Sequence, residues 1–157
     1  MKGERIEVVV QPAERRDIAA IVALFADDAV GGHGDTTDES VRPRYEAAFE
    51  RISLSPNDML YVAEWKGEVV GTFQTTLVTT MSGQGSSSLT VSAVQTRADL
   101  RGHRIGEQMM HFAIAEARAK GARLVQLMSN GRRTDAHRFY ERLGFARSHA
   151  GFKMKLR

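Results

Sequence analysis

In the middle of the chain, residues 59–128, the spacing of apolar residues changes from the pattern of strands to that of a long helix and back. Residues 59–65 and 68–78 predict two strands joined by a tight turn at Lys66-Gly67. A third strand pattern at 89–96, a helix pattern from Ile105 to Gly121 and a strand pattern at 124–128 follow. Hairpins beside a strand–helix–strand unit predict an α/β fold, a central mixed β-sheet with helices on both faces.

The flanking segments predict further elements of the same kinds. Apolar residues from Ile18 to Phe25 recur at i, i+3, i+4 and i+7, which predicts a helix over about residues 14–28. Asp135 is a candidate cap for a short helix that ends at Gly144. The remaining predictions are a strand at 6–11, a glycine-rich loop at 31–35, a helix through Tyr45, Phe49 and Ile52, a flexible connection at 81–86, and strands from Phe145 onward and at 152–156.

Length and composition exclude several classes of protein. A chain of 157 residues fits one domain, 1–157. The absence of cysteine excludes a disulfide scaffold, a thiolate metal site and a cysteine nucleophile, and it fits the cytoplasm. A net charge of +3 is small against 22 Lys and Arg residues, so we expect no nucleic-acid partner. No run approaches the ~20 apolar residues of a membrane helix, the start does not resemble a signal peptide, and we expect no membrane partner.

An arginine- and glycine-rich turn, residues 101–106, connects the third strand to the long helix. The N–H groups of residues 102–107 would be unpaired at the helix start, and the helix dipole adds positive charge there, which is the usual setting for a bound phosphate. Gly102 and Gly106 allow the backbone to approach such a ligand closely. Side-chain charge would come from Arg101, His103 and Arg104. The alternative is that the turn only starts a surface helix. The turn is neither a Walker loop nor a dinucleotide fingerprint.

A second motif lies nearer the end of the chain, and the two together resemble a known superfamily. Asn130 is followed by the pattern A-x-x-F-Y-x-x-x-G-F, which is matched at Ala136, Phe139, Tyr140, Gly144 and Phe145. This pair of motifs resembles the GCN5-related N-acetyltransferase (GNAT) superfamily, whose members bind acetyl-CoA. Arg101 and Gly106 match the ends of that family's pyrophosphate motif, Q/R-x-x-G-x-G/A, whereas Arg104 stands where the family has Gly.

The resemblance implies acetyl-CoA as co-substrate. We expect no metal, because no pair of His residues or carboxylates has the spacing of a metal site. The resemblance implies that strand residues 94–96 hold the pantetheine arm, with an N–H near Val94 polarising the thioester carbonyl. Asn130 either bonds the pantetheine amide or is only a turn residue, and Phe139 is either a cofactor contact or a core residue. The implied cofactor-binding residues are Val94, Thr96, Arg101, Gly102, His103, Arg104, Ile105, Gly106, Glu107, Asn130 and Phe139.

The resemblance also implies the catalytic groups. Tyr140 would protonate the leaving thiolate, and the alternative is a packing ring beside Phe139. Many similar proteins carry a Glu as general base on the third strand, where this chain has Ser92. Serine takes no proton from an ammonium by itself, but with Gln74 on the neighbouring strand it could hold a water that does. His33 and nearby acidic residues are candidates for an amine pocket or a solvated charged segment; these are Asp35, Asp38 and Glu39.

These residues predict an acetyl-CoA-dependent N-acetyltransferase that acts on a primary amine, a small molecule being favoured, by direct attack in a ternary complex. The alternative is a catalytically impaired CoA-binding sensor or interaction module, which Ser92 keeps open because it replaces a carboxylate. A third class, a nucleic-acid binder, lacks any recognition motif in this sequence. A homodimer is left open.

Overall fold

A computed structural model describes residues 3–28 and 33–157 of the chain. Its five strands form one sheet in the order β1-β2-β3-β4-β5, in which β4 and β5 are parallel and the other neighbours antiparallel. The strands are β1 (Val9–Pro12), β2 (Asp58–Trp65), β3 (Glu68–Thr79), β4 (Ser87–Thr96) and β5 (Leu124–Leu127). The helices are α1 (Ile18–Ala26), α2 (Arg42–Leu54), a single turn α3 (Ser82–Gly85), α4 (Ile105–Ala119) and α5 (Thr134–Arg142). The predicted mixed α/β sheet is confirmed.

The hairpin between β2 and β3 forms as predicted. Lys66 and Gly67 both have positive φ, 51° and 77°, which is the geometry of a type I′ turn. This turn fixes the pairing of Trp65 with Glu68 at the start of the antiparallel β2–β3 ladder.

Helices cover both faces of the sheet. Tyr61, Phe73 and Val91 pack on one face with α4, whose Met109 is fully buried. Val62 lies between Tyr61 and Ala63 in the strand, so its side chain points to the opposite face, yet it is also fully buried. Helices α1 and α2 contact the sheet there, α1 on β3 and β4 and α2 on β2.

Three local predictions differ from the structure, and part of a fourth lies outside the described residues. The first strand begins at Val9 rather than residue 6 because the preceding backbone pairs with the α4 turn instead. Asp135 lies inside the first turn of α5 rather than at its cap. The connection at 81–86 contains the turn α3, in which Gly83 and Gln84 have positive φ. Part of the predicted loop, Gly31 and Gly32, lies outside the described residues.

The strand predictions after Phe145 are wrong. Residues 146–157 form no strand, and Phe152, Met154 and Leu156 are 93%, 84% and 90% exposed. The apolar residues at 124–128 predict a buried strand, but β5 is an edge of the sheet and its Leu124 is exposed. The alternating pattern of the segment is typical of a strand, but within the described residues the segment pairs with no strand, and the outer edge of β5 stays open.

Two further observations concern the described ranges. No helix within residues 3–28 and 33–157 is long and apolar enough to cross a membrane. In the same ranges, no three His, Asp or Glu side chains are grouped so that they could hold a metal ion.

Candidate active site

A gap opens between β4 and β5 where their pairing ends. The two strands pair only as far as Val91 and Leu127, whereas β4 continues beside β3 to Thr96. The edge of β4 that faces away from β3, residues 92–96, therefore lies beside no strand within the described part of the chain. This edge is the segment in which the sequence predicts a pantetheine contact at Val94 and Thr96.

A β-bulge at Ala93 shapes this edge. Phe73 on β3 faces two residues of β4, and Ala93 adopts φ 52°, a left-handed conformation that is uncommon for a residue other than glycine. The extra residue reverses the alternation beyond it, so Ala93 is exposed and Val94 packs against the core. The sequence alternation at 89–96 groups Ala93 with Leu89 and Val91, and the bulge removes Ala93 from the buried face that those two residues share.

The turn before α4 presents a row of unpaired N–H groups. Within the described residues, the N–H groups of residues 102–107 donate to no protein acceptor. The carbonyls of Gly102 and His103 accept hydrogen bonds from Gly3 and Ile6, at 2.9 and 3.1 Å. Because N–H and C=O point in opposite directions across a trans peptide, the N–H groups of His103 and Arg104 point away from the segment at residues 3–6. Such a concave row of N–H groups binds anions.

The His103 side chain is not part of this row. Its Nδ1 lies 2.7 Å from the carbonyl oxygen of Glu4, which can only accept, so Nδ1 carries the proton. The ring thus fastens the first residues to the α4 turn through Nδ1, and its place beside a phosphate stays a prediction. Gln108 completes the attachment through bonds to the backbone of Ile6 and Val8.

Arg104 occupies a backbone position that favours glycine. It has φ 64° and ψ 24° at the N-cap of α4, and its side chain is exposed. The left-handed conformation costs a residue with a Cβ about 1–2 kcal/mol. The strain explains why glycine suits this motif position, and the exposed side chain leaves the N–H row open.

Three of the predicted cofactor residues converge at the start of α4. A Cβ on Gly106 would lie 3.4 Å from Phe139 Cζ and 3.9 Å from Thr96 Oγ1. Phe139 and Val94 are half-buried and pack against the core. The gap between β4 and β5, the N–H row and the start of α5 therefore form one continuous region.

Tyr140 lies at this region on α5. Its ring packs against Phe139 at 5.1 Å and edge-on to Phe145 at 5.9 Å between ring centroids. Burial raises the pKa of the Tyr140 hydroxyl, and the nearby Arg133 guanidinium opposes this effect. The hydroxyl stays protonated at neutral pH, so it is available as a proton donor.

Ser92 and Gln74 are direct cross-strand neighbours, as predicted. Ser92 is exposed and Gln74 half-buried. Hydrogen bonds from Thr76, Ser55 and Gln74 hold the pKa of the Asp58 carboxyl below its usual value. The Gln74 amide is thus partly engaged with β2, on the same polar face of the sheet as Ser92.

The acidic residues of the loop before α2 have partners of their own. Tyr45 donates its hydroxyl hydrogen to Asp35 at 2.7 Å, the Ser40 N–H donates to Asp38, and Glu39 lies 3.7 Å from Arg42. His33 is exposed. These contacts favour a structural explanation for the acidic residues over an amine pocket.

The loop before α5 is held by its own hydrogen bonds. The Asn130 side-chain oxygen accepts from the Arg132 N–H at 2.9 Å, which is the turn geometry left open above. His137 is half-buried, and its Nε2 lies 2.9 Å from the Asn130 carbonyl oxygen. These bonds fix the position of Arg133 beside the gap.

Sequence reasoning missed a polar cluster across the gap. Asp28 Oδ2, just after α1, accepts from Gln95 Nε2 at 2.8 Å and from Arg133 Nη2 at 2.5 Å. The Asp28 side chain is only 10% exposed. No spacing rule connects these three residues, because they lie in separate segments that only the fold brings together.

Comparison with known proteins agrees with this arrangement. Residues 18–145 match the acetyltransferase (GNAT) family. Over 57 residues the chain is 47% identical to an aminoalkylphosphonate N-acetyltransferase of Salmonella typhimurium, a match that spans 36% of this chain and 37% of that enzyme.

Solved structures extend the likeness over almost the whole chain. A transcriptional regulator from Bacillus halodurans C-125 is 36% identical, with a TM-score of 0.92 over 96% of this chain and 100% of the other. Glucosamine-6-phosphate N-acetyltransferase from Arabidopsis thaliana is 17% identical, with a TM-score of 0.78 over 96% of this chain and 99% of that one, and it shares the fold.

Proposed function

Because the chain belongs to the acetyltransferase (GNAT) family, we propose that it transfers the acetyl group of acetyl-CoA to a primary amine of a small molecule. The observation that carries this proposal is the unpaired N–H row at residues 102–107, which continues into the gap beside β4 and reaches Tyr140. We assign the single domain to residues 1–157 and the reaction to the cytoplasm, which the absence of cysteine fits.

The N–H row would hold the pyrophosphate of acetyl-CoA. Charge-assisted bonds from backbone N–H groups, together with the α4 dipole, favour this anion. Arg101 and Arg104 are exposed at the same turn and would add positive charge that attracts the pyrophosphate. The pantetheine arm would then run along the free edge of β4 past Val94 and Thr96, with Asn130 and Phe139 beside it. Ile105 and Glu107 would contribute backbone N–H groups to the row.

Arg104→Gly tests the strained position directly. We expect the free energy of unfolding to rise by about 1 kcal/mol, because glycine adopts the left-handed conformation without a Cβ clash. CoA affinity should become somewhat weaker and less dependent on salt, because an exposed cation is lost. Denaturant unfolding and calorimetry at two salt concentrations measure both effects. Markedly tighter CoA binding would instead show that the Arg104 side chain obstructs the site.

Acetyl transfer would proceed in one ternary complex. The neutral amine attacks the thioester carbonyl carbon, and an N–H near Val94 stabilises the oxyanion, a role worth ~3 kcal/mol in other acyl transfers. The C–S bond breaks, and Tyr140 gives its proton to the departing thiolate. The amine proton leaves to a water held at Ser92, and solvent restores the Tyr140 proton.

This assignment predicts how the rate changes with pH. Tyr140 acts in its protonated form, and burial raises its pKa, so the acid is lost only well above neutral pH. We therefore expect log kcat/KM to rise by about one unit per pH unit toward the pKa of the acceptor amine. Initial rates from pH 6 to pH 10 test this. A plateau that begins near pH 6–7 would contradict it and would reveal a protein base such as His33.

The second candidate function is a CoA-binding sensor or interaction module without turnover. Ser92, in place of a carboxylate base, favours it, as does the 36% identity with a protein that is itself a transcriptional regulator. CoA release from acetyl-CoA in the presence of a panel of amines separates the two functions. Amine-dependent release supports the enzyme, and tight CoA binding without release supports the sensor.

We also propose that the protein forms a homodimer through the segment at residues 146–157. The segment has the alternation of a strand and exposes three large apolar side chains at alternate positions, and Gly151 passes Met128 at the end of the open edge strand β5. Pairing of this segment with β5 of a second copy would cover both surfaces reciprocally.

Met154→Asp tests the dimer. We expect light scattering to show a dimer for the unaltered chain and a monomer for the variant, because a buried carboxylate would be unpaired in the new interface. Lys153→Ser, on the other side of the same segment, should leave the dimer intact. A monomer before any substitution would contradict the proposal.

A further inference from the structure

The ion pair between Asp28 and Arg133 is an unusual feature of the proposed site. The Arg133 side chain is 29% exposed and that of Asp28 10%, whereas both side chains are 32–97% exposed in the great majority of the other ion pairs in the described residues. Partly buried ion pairs of this kind add little net stability, because removing both charges from water costs about as much as their attraction returns. Each of the two charged groups can, however, exchange its partner in the pair for a group of opposite charge on a ligand.

The position of the pair relates it to the reaction. Gln95, the second partner of Asp28, lies two residues beyond the Ala93 bulge on β4. Arg133 is close enough to Tyr140 for its charge to oppose the rise that burial causes in the Tyr140 pKa. Asp28 thus connects the end of α1 to Gln95 on β4 and to Arg133 before α5, on the two sides of the gap in which the thioester and Tyr140 would meet.

We propose that Asp28 and Arg133 form the acceptor site and that the acceptor is a short zwitterion. Its ammonium would bind Asp28, and an anionic group a few bonds away would bind Arg133. Each protein charge would then exchange an internal partner for a ligand partner, so that neither is left buried and unpaired. This inference rests on the proposed acetyl transfer and names its substrate class.

The chemistry of the two side chains favours this class over a simple amine or a polyamine. A cationic ligand without an anion would compete with Arg133 for Asp28 and leave the guanidinium without a partner. A phosphonate, phosphate or carboxylate matches the planar fork of arginine and forms two parallel hydrogen bonds with it. Gln95 would keep Asp28 in place during the exchange.

Binding to the CoA complex tests the proposal without requiring turnover. Calorimetry would compare aminoethylphosphonate, β-alanine and propylamine, all added to the protein saturated with CoA. We expect at least one of the two zwitterions to bind about 10- to 100-fold more tightly than propylamine, the scale of a hydrogen bond to a charged group. The two zwitterions distinguish a phosphonate from a carboxylate.

Two variants assign the two ends of the ligand. Arg133→Met should reduce the preference for the zwitterion over propylamine to within about threefold. Asp28→Asn, which keeps a hydrogen-bond acceptor for Gln95, should weaken both ligands by about 10-fold or more. Arg138→Met is the control, because Arg138 forms an exposed pair with Asp135 and should leave all three affinities unchanged.

The outcomes separate this proposal from the proposed function. If propylamine binds and is acetylated as well as the zwitterions, or if Arg133→Met leaves the preference intact, the proposal is wrong and acetyl transfer stands. If both variants only lower thermal stability and leave the preference unchanged, the pair is structural and the proposal is likewise wrong. If CoA binds and no amine is acetylated, while the zwitterion preference and its loss in Arg133→Met hold, the acceptor site stands and the acetyltransferase function fails.

Discussion

Replacing Tyr140 with phenylalanine should lower kcat by ~10²–10⁴, the usual scale of general acid catalysis. The change keeps the ring that packs against Phe139 and Phe145 and removes only the hydroxyl. Without that proton the thiolate must leave as an anion or take its proton from solvent. CoA affinity should stay nearly the same, because the proposed phosphate and pantetheine contacts do not involve this hydroxyl. Steady-state rates and CoA calorimetry measure the two quantities.

Tyr61→Phe is the matched control for this prediction. Tyr61 is also buried, and burial with the nearby Glu116 raises its pKa to about 12, but its ring packs between Phe73 and Phe112, within the core on the α4 face of the sheet. Loss of the Tyr61 hydroxyl should change stability slightly and leave kcat near that of the unaltered enzyme. If the Tyr140→Phe variant has the same kcat as the unaltered enzyme, Tyr140 is a packing residue and is excluded as the acid.

Gly106→Pro should reduce CoA affinity by about 10- to 100-fold, the cost of one hydrogen bond to a charged group. Proline removes an N–H from the proposed phosphate row. The fold should persist, because proline is tolerated in the first helical turn and α2 already carries Pro43 at the equivalent second position. Calorimetry with CoA and the circular dichroism of the variant test both expectations.

Gly106→Ala is the control that keeps the N–H group. Its new methyl group would lie 3.4 Å from Phe139 Cζ, an ordinary contact, so affinity should change little. If the proline variant binds CoA as well as the alanine variant does, the pyrophosphate lies elsewhere.

The sequence predicts the parts of this molecule whose causes are local. The Lys66-Gly67 turn has glycine at one of its two positive-φ positions, and the apolar stripe of α4 buries Ile105, Met109 and Ala113 as its spacing predicts. The motif residues Gly106 and Phe139 also meet in space. These features depend on neighbours within a few residues, or on a motif whose fold is already known.

The features that could not be predicted depend on contacts between distant segments. The bulge at Ala93 follows from its register with β3, and a one-residue shift reverses every later side chain of the strand. Residues 152–156 have a strand pattern, but a strand also needs a partner, which their own sequence does not specify. Asp28, Gln95 and Arg133 come together only because α1, β4 and α5 meet at the gap.

The most direct test of the central claim is the release of CoA thiol from acetyl-CoA, measured with and without a primary amine. The panel should include aminoalkylphosphonates, aminoglycosides and polyamines, and mass spectrometry should follow the acetylated product. We predict release that depends on the amine, equals the product formed, and falls in the Tyr140→Phe variant. Saturable CoA binding with no amine-dependent release across the panel would contradict the account and identify the chain as a CoA-binding module.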